Sequence, residues 1–183
     1  MHRARVADSF GSLIRSCPPR IVTLGGVLRI PAGMVEAIVA HARTDHPDEA
    51  CGIIAGPAGS DRPTRLLPMT NAERSPTFYR FDSGEQLRLY KQLDAADEEV
   101  VVVYHSHTAT EAYPSRTDIS YAGEPQAHYV LVSTREPDSD EFRSFRIIDG
   151  AVDEEDVEII PAAPDVAPAS TSDVRAESDL VQS

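Results

Sequence analysis

Apolar residues recur at helical spacing in two stretches of the chain and cluster in short dense runs elsewhere, and this contrast sets the expected elements. Leu24 to Ile30 reads as a short strand. Pro31 suits the first turn of a following helix, whose apolar face is Met34, Val35, Ile38, Val39 and Ala42 and which Pro47 ends. Glu49 to Ala55 is an apolar run closed by Gly56-Pro57. After a turn at Gly59, Ser60 and Asp61, the strand-like Thr64 to Met69 completes a hairpin. Ser83 with Gln86 three residues on forms a capping box for a second helix, which Leu87, Tyr90 and Leu93 carry to about Ala96.

Glu99 to His107 follows as a strand. Its unbroken Val100, Val101, Val102, Val103 and Tyr104 imply burial on both faces and so a central place in a sheet. Further strands are expected at 127–134, 142–148 and 151–160. Helices separated by several consecutive strands predict an α+β domain over residues 25–160, with a mixed, largely antiparallel sheet flanked by helices. Residues 1–24 show no sustained periodicity, and residues 161–183 are rich in Pro, Ala, Ser and acid, so a disordered N-terminal extension and a disordered acidic tail are expected on either side.

Composition narrows the function classes. The 183 residues carry a net charge of −13, and residues 151–183 hold nine acids against one Arg. A chain with pI near 4.8 and no dense basic run would repel a phosphate backbone, so nucleic acid is not an expected partner. The longest apolar runs fall far short of the ~20 residues that span a bilayer, so no membrane partner is expected. The N-terminal residues lack the continuous apolar stretch of a secretory signal. The two cysteines, Cys17 and Cys51, make no disulfide framework, and reduced thiols suit the cytoplasm.

The chemistry is concentrated in His105-Ser106-His107, seven further residues, then Ser115-Arg116-Thr117-Asp118. Side chains alternate along a strand, so His105 and His107 leave one face and Ser106 the other. A loop of this length can return Asp118, at the start of a short helix stopped by Gly123, over the two imidazoles. Two nitrogens and one oxygen are a ligand set for a catalytic zinc, which takes three protein ligands and leaves a fourth position to water. Amide hydrolysis also needs a carboxylate to move that water's proton, and Glu49 at the start of its strand is the candidate. Ser115 is placed to offer its hydroxyl to an oxyanion.

Blander readings compete. The histidine pair alone is as compatible with satisfied core residues as with ligands, and an acid at a strand start is commonly a solvated edge charge. It is the addition of Ser115, Asp118 and the upstream carboxylate that favours a metal site. Cys51 as a fourth ligand would close the site to water, so it reads as a core residue. His41, His46 and His128 lack ligand spacing and read as structural.

Glu49 with His105-x-His107-x7-Ser115-x2-Asp118 resembles the JAMM (MPN+) signature of the JAB1/MPN/Mov34 zinc metallopeptidases, and all five positions match. The resemblance spans roughly residues 25–160. It implies a JAB1/MPN-like domain, one Zn2+ per chain, and hydrolysis of peptide or isopeptide bonds near ubiquitin-like C-termini. The stretches HPDEACGIIAGPAGSDRP, PMTNAERSPTFYRFDSGEQL, YHSHTATEAYPSRTD and AHYVLVSTREP are similar to the actinobacterial Mec-type branch of the family. That likeness implies a ubiquitin-like sulfur-carrier protein with a C-terminal Gly-Gly-Cys as substrate, free cysteine as product, and a place in cysteine biosynthesis. A general deconjugase or trimming peptidase for another ubiquitin-like protein is the alternative. A non-catalytic scaffold is a third reading, against which the intact motif weighs. The segment Asn71 to Tyr79, with Arg74, Phe78 and Tyr79, reads either as a holder of the incoming chain or as an ordinary connecting loop.

Overall fold

The computed structural model describes residues 26–161; the extension expected over 1–24 and the tail expected over 161–183, apart from Pro161, lie outside the described residues. In chain order the elements are β1 (Val27–Pro31), α1 (Ala32–Asp45), β2 (Cys51–Pro57), β3 (Arg65–Met69), α2 (Ser83–Ala95), β4 (Glu98–His107), α3 (Arg116–Tyr121), β5 (His128–Glu136), β6 (Ser139–Ile148) and β7 (Ala151–Ile160). The strands form one seven-stranded sheet in the order β1-β7-β6-β5-β4-β2-β3. Only β1–β7 and β4–β5 pair in parallel, and the remaining neighbours are antiparallel, so the α+β class with a mixed, largely antiparallel sheet holds.

Two helix starts differ from the sequence expectation. Pro31 closes β1 in an extended conformation and serves as the N-cap of α1 rather than lying in its first turn. In α2 the cap is Asp82, whose Oδ1 accepts from the Glu85 amide at 2.8 Å, so the expected Ser83–Gln86 box is displaced by one residue. The physical reason is that a carboxylate offers both a hydrogen-bond acceptor and a full charge to the positive end of the helix, where a hydroxyl offers only the first.

The sheet has an apolar core on each face. One contains Leu28, Ile30, Met34, Ile38, Ala42, Ile54, Val102, Tyr104, Val130 and Val132 and takes the buried face of α1. The other contains Ile53, Leu67, Leu89, Leu93, Val103, Tyr129, Leu131 and Phe145, and takes α2, with Ile119 of α3 packed against it. Each Val, Leu, Ile, Met or Phe among them contributes roughly 1.5–3 kcal/mol by leaving water. β4 lies inside the sheet between β2 and β5, as its run of valines requires.

Strict alternation would place Val101 with Val103, yet Val101 and Val102 both belong to the α1 side. The register shifts between Ile54 and Ala55, whose partners on β4 are Val102 and Val100, so Val101 is a bulged extra residue. Beyond the bulge the alternation resumes. Val103 faces the α2 side and Tyr104 faces α1, which sets the direction of the residues that end the strand. Tyr104 is seated against Gly52 on the neighbouring strand, where a Cβ would stand 2.5 Å from its ring. Only glycine permits that approach.

Candidate active site

β4 ends in His105 and His107, two residues apart, and the face that carries Val103 carries both rings. A loop then returns the chain to α3. The loop is pinned where it passes β5 and β6: Ser133 Oγ donates to the Thr110 carbonyl at 2.5 Å, and the Ala112 amide donates to Glu141 Oε2 at 3.2 Å. At its end Ser115 caps α3. Its Oγ accepts from the Asp118 amide at 3.2 Å, while its own amide donates to Asp118 Oδ2 at 2.6 Å, a reciprocal capping box. The spacing of three between Ser115 and Asp118 is therefore a structural device. It locks the orientation of the carboxylate.

His105 Nε2, His107 Nε2 and Asp118 Oδ2 converge. The two nitrogens are 3.2 Å apart, and the oxygen stands 3.5 and 3.4 Å from them. Ligands at ~2.0–2.1 Å from a tetrahedral ion are separated by ~3.3 Å, so this triangle has the dimensions that a zinc site requires. Among the described residues it is also the cluster whose ligand atoms meet closely enough to hold a metal. His107 Nδ1 faces the Glu111 carbonyl at 2.8 Å. A carbonyl only accepts, so Nδ1 carries the proton and Nε2 keeps its lone pair for the centre of the triangle. His105 Nδ1 is buried without a hydrogen-bond partner among the described residues, and the Tyr79 ring stacks on its imidazole at 4.4 Å.

The electrostatics favour a cation at that point. Burial works against the charged form of Asp118, but hydrogen bonds from His105 and His107 outweigh it and hold the carboxyl well below the usual range. Burial pulls His105 down toward the neutral imidazole that ligation needs. For His107 burial acts in the same direction, yet Asp118 and the Glu111 carbonyl more than offset it and raise the group.

Glu49 does not sit at a solvated strand edge, as its position in the sequence suggests. It precedes β2 by two residues and is only 4% exposed. The neighbouring Ala50 is clasped to β4: its amide donates to Ser106 Oγ at 2.8 Å, and its carbonyl accepts from the Ser106 amide at 2.9 Å. Ser106, leaving the opposite face from the histidines, thus helps bring Glu49 beside them. Burial pushes the Glu49 carboxyl up to about 7, with His107 lowering it and Asp118 raising it, so the site brings Glu49 within electrostatic reach of two of the three candidate ligands. A buried carboxylate beside the candidate ligands is a group able to take and return a proton.

The segment Asn71 to Tyr79, which the sequence leaves open between a holder of the incoming chain and a connecting loop, places Asn71 against the Glu49 carbonyl and the Tyr79 ring on His105, contacts that a polar loop does not announce. Cys51 is buried, its Sγ directed at the Met69 carbonyl at 3.7 Å, and belongs to the core. His41 bonds Tyr104 Oη at 3.0 Å, and His46 bonds Thr134 Oγ1 at 3.2 Å. His128 is held between Glu155 and Asp61 at the start of β5. None of these three joins the triangle.

Known proteins share this arrangement of sequence and fold. A CysO-cysteine peptidase of Mycobacterium tuberculosis is 69% identical over 134 residues, which are 73% of this chain and 92% of that protein. A desampylase of Haloferax volcanii is 30% identical over 131 residues, 66% of this chain and 94% of its own length. Among solved structures, a protein of Desulfitobacterium hafniense superposes with a TM-score of 0.66 at 31% identity, covering 76% of this chain and 96% of that one. Residues 31–148 match the domain family described as prokaryotic homologs of the JAB domain, and the chain belongs to that family.

Proposed function

We propose that this chain is a zinc-dependent peptidase that releases cysteine from the C-terminus of a ubiquitin-like sulfur-carrier protein ending in Gly-Gly-Cys, in cysteine biosynthesis. The observation that carries the reading is the convergence of His105, His107 and Asp118 into a triangle of 3.2–3.5 Å beside a buried Glu49. The 69% identity to the mycobacterial CysO-cysteine peptidase supports the substrate. The three ligands would hold one zinc per chain, which would polarise the scissile carbonyl and lower the pKa of a water.

The chain's own groups account for the proton traffic. Glu49 takes the proton of the attacking water as its oxygen bonds to the carbonyl carbon of the last glycine. It then delivers that proton to the cysteine nitrogen as the C–N bond breaks, leaving a carrier that ends in Gly-Gly and a free amino acid. The Ser115 hydroxyl accepts from the Asp118 amide, which leaves its own O–H free to donate to the developing oxyanion. Glycines before the cleaved bond have no side chains to hold, so recognition rests on main-chain pairing of an added strand and on the body of the carrier. Among the described residues no helix is long and apolar enough to cross a membrane; a cytoplasmic site of action is part of the proposal.

A second reading, a general deconjugase of ubiquitin-like proteins, is favoured by the desampylase relative. Mass spectrometry separates the two. Incubation with a ubiquitin-like carrier extended by cysteine is expected to give free cysteine and a carrier ending in Gly-Gly, while a short peptide with the same ending is cut poorly. An intact cysteine adduct together with cleavage of isopeptide conjugates would replace this assignment with the deconjugase.

A further inference from the structure

The loop between β3 and α2 is bound to the site more tightly than a connection needs to be. It closes on itself through an Asn71–Phe81 bridge and an Ala72 amide donating to the Arg80 carbonyl at 2.9 Å. It then grips Glu49 by both main-chain groups: the Glu49 amide donates to the Ser75 carbonyl at 2.9 Å, and the Glu49 carbonyl accepts from Asn71 Nδ2 at 2.9 Å. A third tether runs from Thr108 Oγ1, just past the ligand histidines, to the Pro76 carbonyl at 3.0 Å. The Tyr79 ring lies on His105. The loop therefore touches the residue proposed as base and a proposed ligand at once.

Asn71 is the hub. It is 7% exposed, and its amide group makes every bond open to it. Nδ2 donates to the carbonyls of Glu49 and Phe78, at 2.9 and 3.2 Å, and Oδ1 accepts from the amides of Glu73 and Arg80, at 3.0 and 3.3 Å. Both partners of the nitrogen are acceptors and both partners of the oxygen are donors, so the orientation of the amide is fixed by chemistry. No other side chain of this length gives two donors and two acceptors: Asp lacks the donors, and Ser the reach. The loop also holds Arg74 at φ 44°, a left-handed conformation that a non-glycine residue keeps only where its surroundings enforce it.

We propose that Asn71 is a positioning residue for Glu49, fixing its main chain through the carbonyl so that the carboxylate is held at the distance and angle that proton transfer requires. The proposal rests on the reading of Glu49 as general base. It assigns the Asn71–Phe81 loop a share in turnover rather than in the simple joining of β3 to α2. A shift of about 1 Å in a catalytic group costs on the order of 100-fold in rate, so loss of the hub should appear in kcat.

The test uses zinc-loaded protein with Asn71→Ala and Asn71→Asp, the second keeping the shape and the two accepted bonds while losing both donated ones. Cleavage of the cysteine-extended carrier is expected to fall about 10- to 100-fold in kcat, with KM within about twofold and zinc still at about one per chain. In a Glu49→Gln background Asn71→Ala should add no further loss, because residues that act through one another are not additive. Amide hydrogen exchange followed by NMR supplies a readout independent of substrate: exchange at Glu49 should quicken at least about tenfold in the variants, with α1 unchanged. Normal kcat in both variants, equal losses with and without Glu49, or unaltered exchange at Glu49 would each overturn the proposal. If Asn71→Ala fails to fold, Asn71→Asp decides it. If the carrier is not a substrate at all, the proposed function fails, and the exchange measurement still decides the role of Asn71.

Discussion

Replacing Glu155 by Gln should unsettle the sheet at the end of β5 away from the His105, His107 and Asp118 triangle, and in a pH-dependent way. His128 is fully buried at the start of β5, and its Nδ1 is 2.5 Å from Glu155 Oε1 on β7. Ser144 Oγ donates to the same oxygen at 2.7 Å, and Arg146 Nε donates to the other at 3.2 Å. Asp61, from the β2–β3 turn, meets His128 Nε2 at 2.9 Å. Burial raises the Glu155 carboxyl, but His128, Ser144 and Arg146 outweigh it and leave it lowered from 4.5. Burial lowers His128, and Arg146 Nη2 at 2.8 Å from Nε2 opposes the imidazolium too, yet the bonds to Asp61 and Glu155 prevail and raise it above 6.5.

Removing one partner of such a buried pair typically costs about 3–5 kcal/mol, because the others are left desolvated and uncompensated. For a folded unit of roughly 140 residues that is a fall in Tm of about 10–17 °C. The signs give the pH window. A lowered carboxyl contributes stability that is present above 4.5 and lost as pH falls through its folded value. A raised histidine contributes stability that is present below 6.5 and lost as pH rises through its folded value. The gap between parent and Glu155→Gln should therefore be widest between these two values and narrower on either side, without vanishing at high pH, where Arg146 stays charged. Thermal melts by circular dichroism from pH 4 to 8 measure it. A Tm within about 2 °C of the parent at pH 5.5, or a gap that does not vary with pH, would show that the His128–Glu155 pair does not stabilise the sheet as an ion pair.

Two further outcomes follow from the fold. Gly52→Ala places a methyl group against the Tyr104 ring, and should cost about 1–3 kcal/mol in denaturant unfolding as β2 and β4 are forced apart; an unchanged midpoint would show that the ring moves freely. Deleting residues 162–183 should leave cleavage of the carrier within about twofold, because β7 is complete at Ile160 and every proposed site residue precedes it. A large loss would assign the acidic tail a binding role.

The three candidate ligands could be picked out together because they lie in one short stretch of sequence. Alternation along a strand places His105 and His107 on one face whatever the fold, and a valine run announces a central strand. The Val101 bulge could have spoiled that inference, but it falls upstream of the histidines and leaves their relation intact. What was not legible depends on long-range contacts. The burial of Glu49 follows from a clasp to Ser106, 56 positions away for Ala50, and from the Asn71 loop folding back onto it. His128 lacked ligand spacing because its partners Asp61 and Glu155 stand 67 and 27 positions distant. At the helix starts, the one-residue errors at Pro31 and Asp82 reflect competition between adjacent residues for the same cap, which periodicity does not resolve.

In the proposed reaction a buried carboxylate at position 49 moves the proton at a zinc site formed by His105, His107 and Asp118. The most direct test of that step is single-turnover release of cysteine from the carrier by Glu49→Gln, with zinc counted in the same sample. About one zinc per chain is expected, with a rate lower by about 100- to 10,000-fold, since an amide cannot accept the proton. Turnover near that of the parent, with zinc in place, would contradict that role for Glu49.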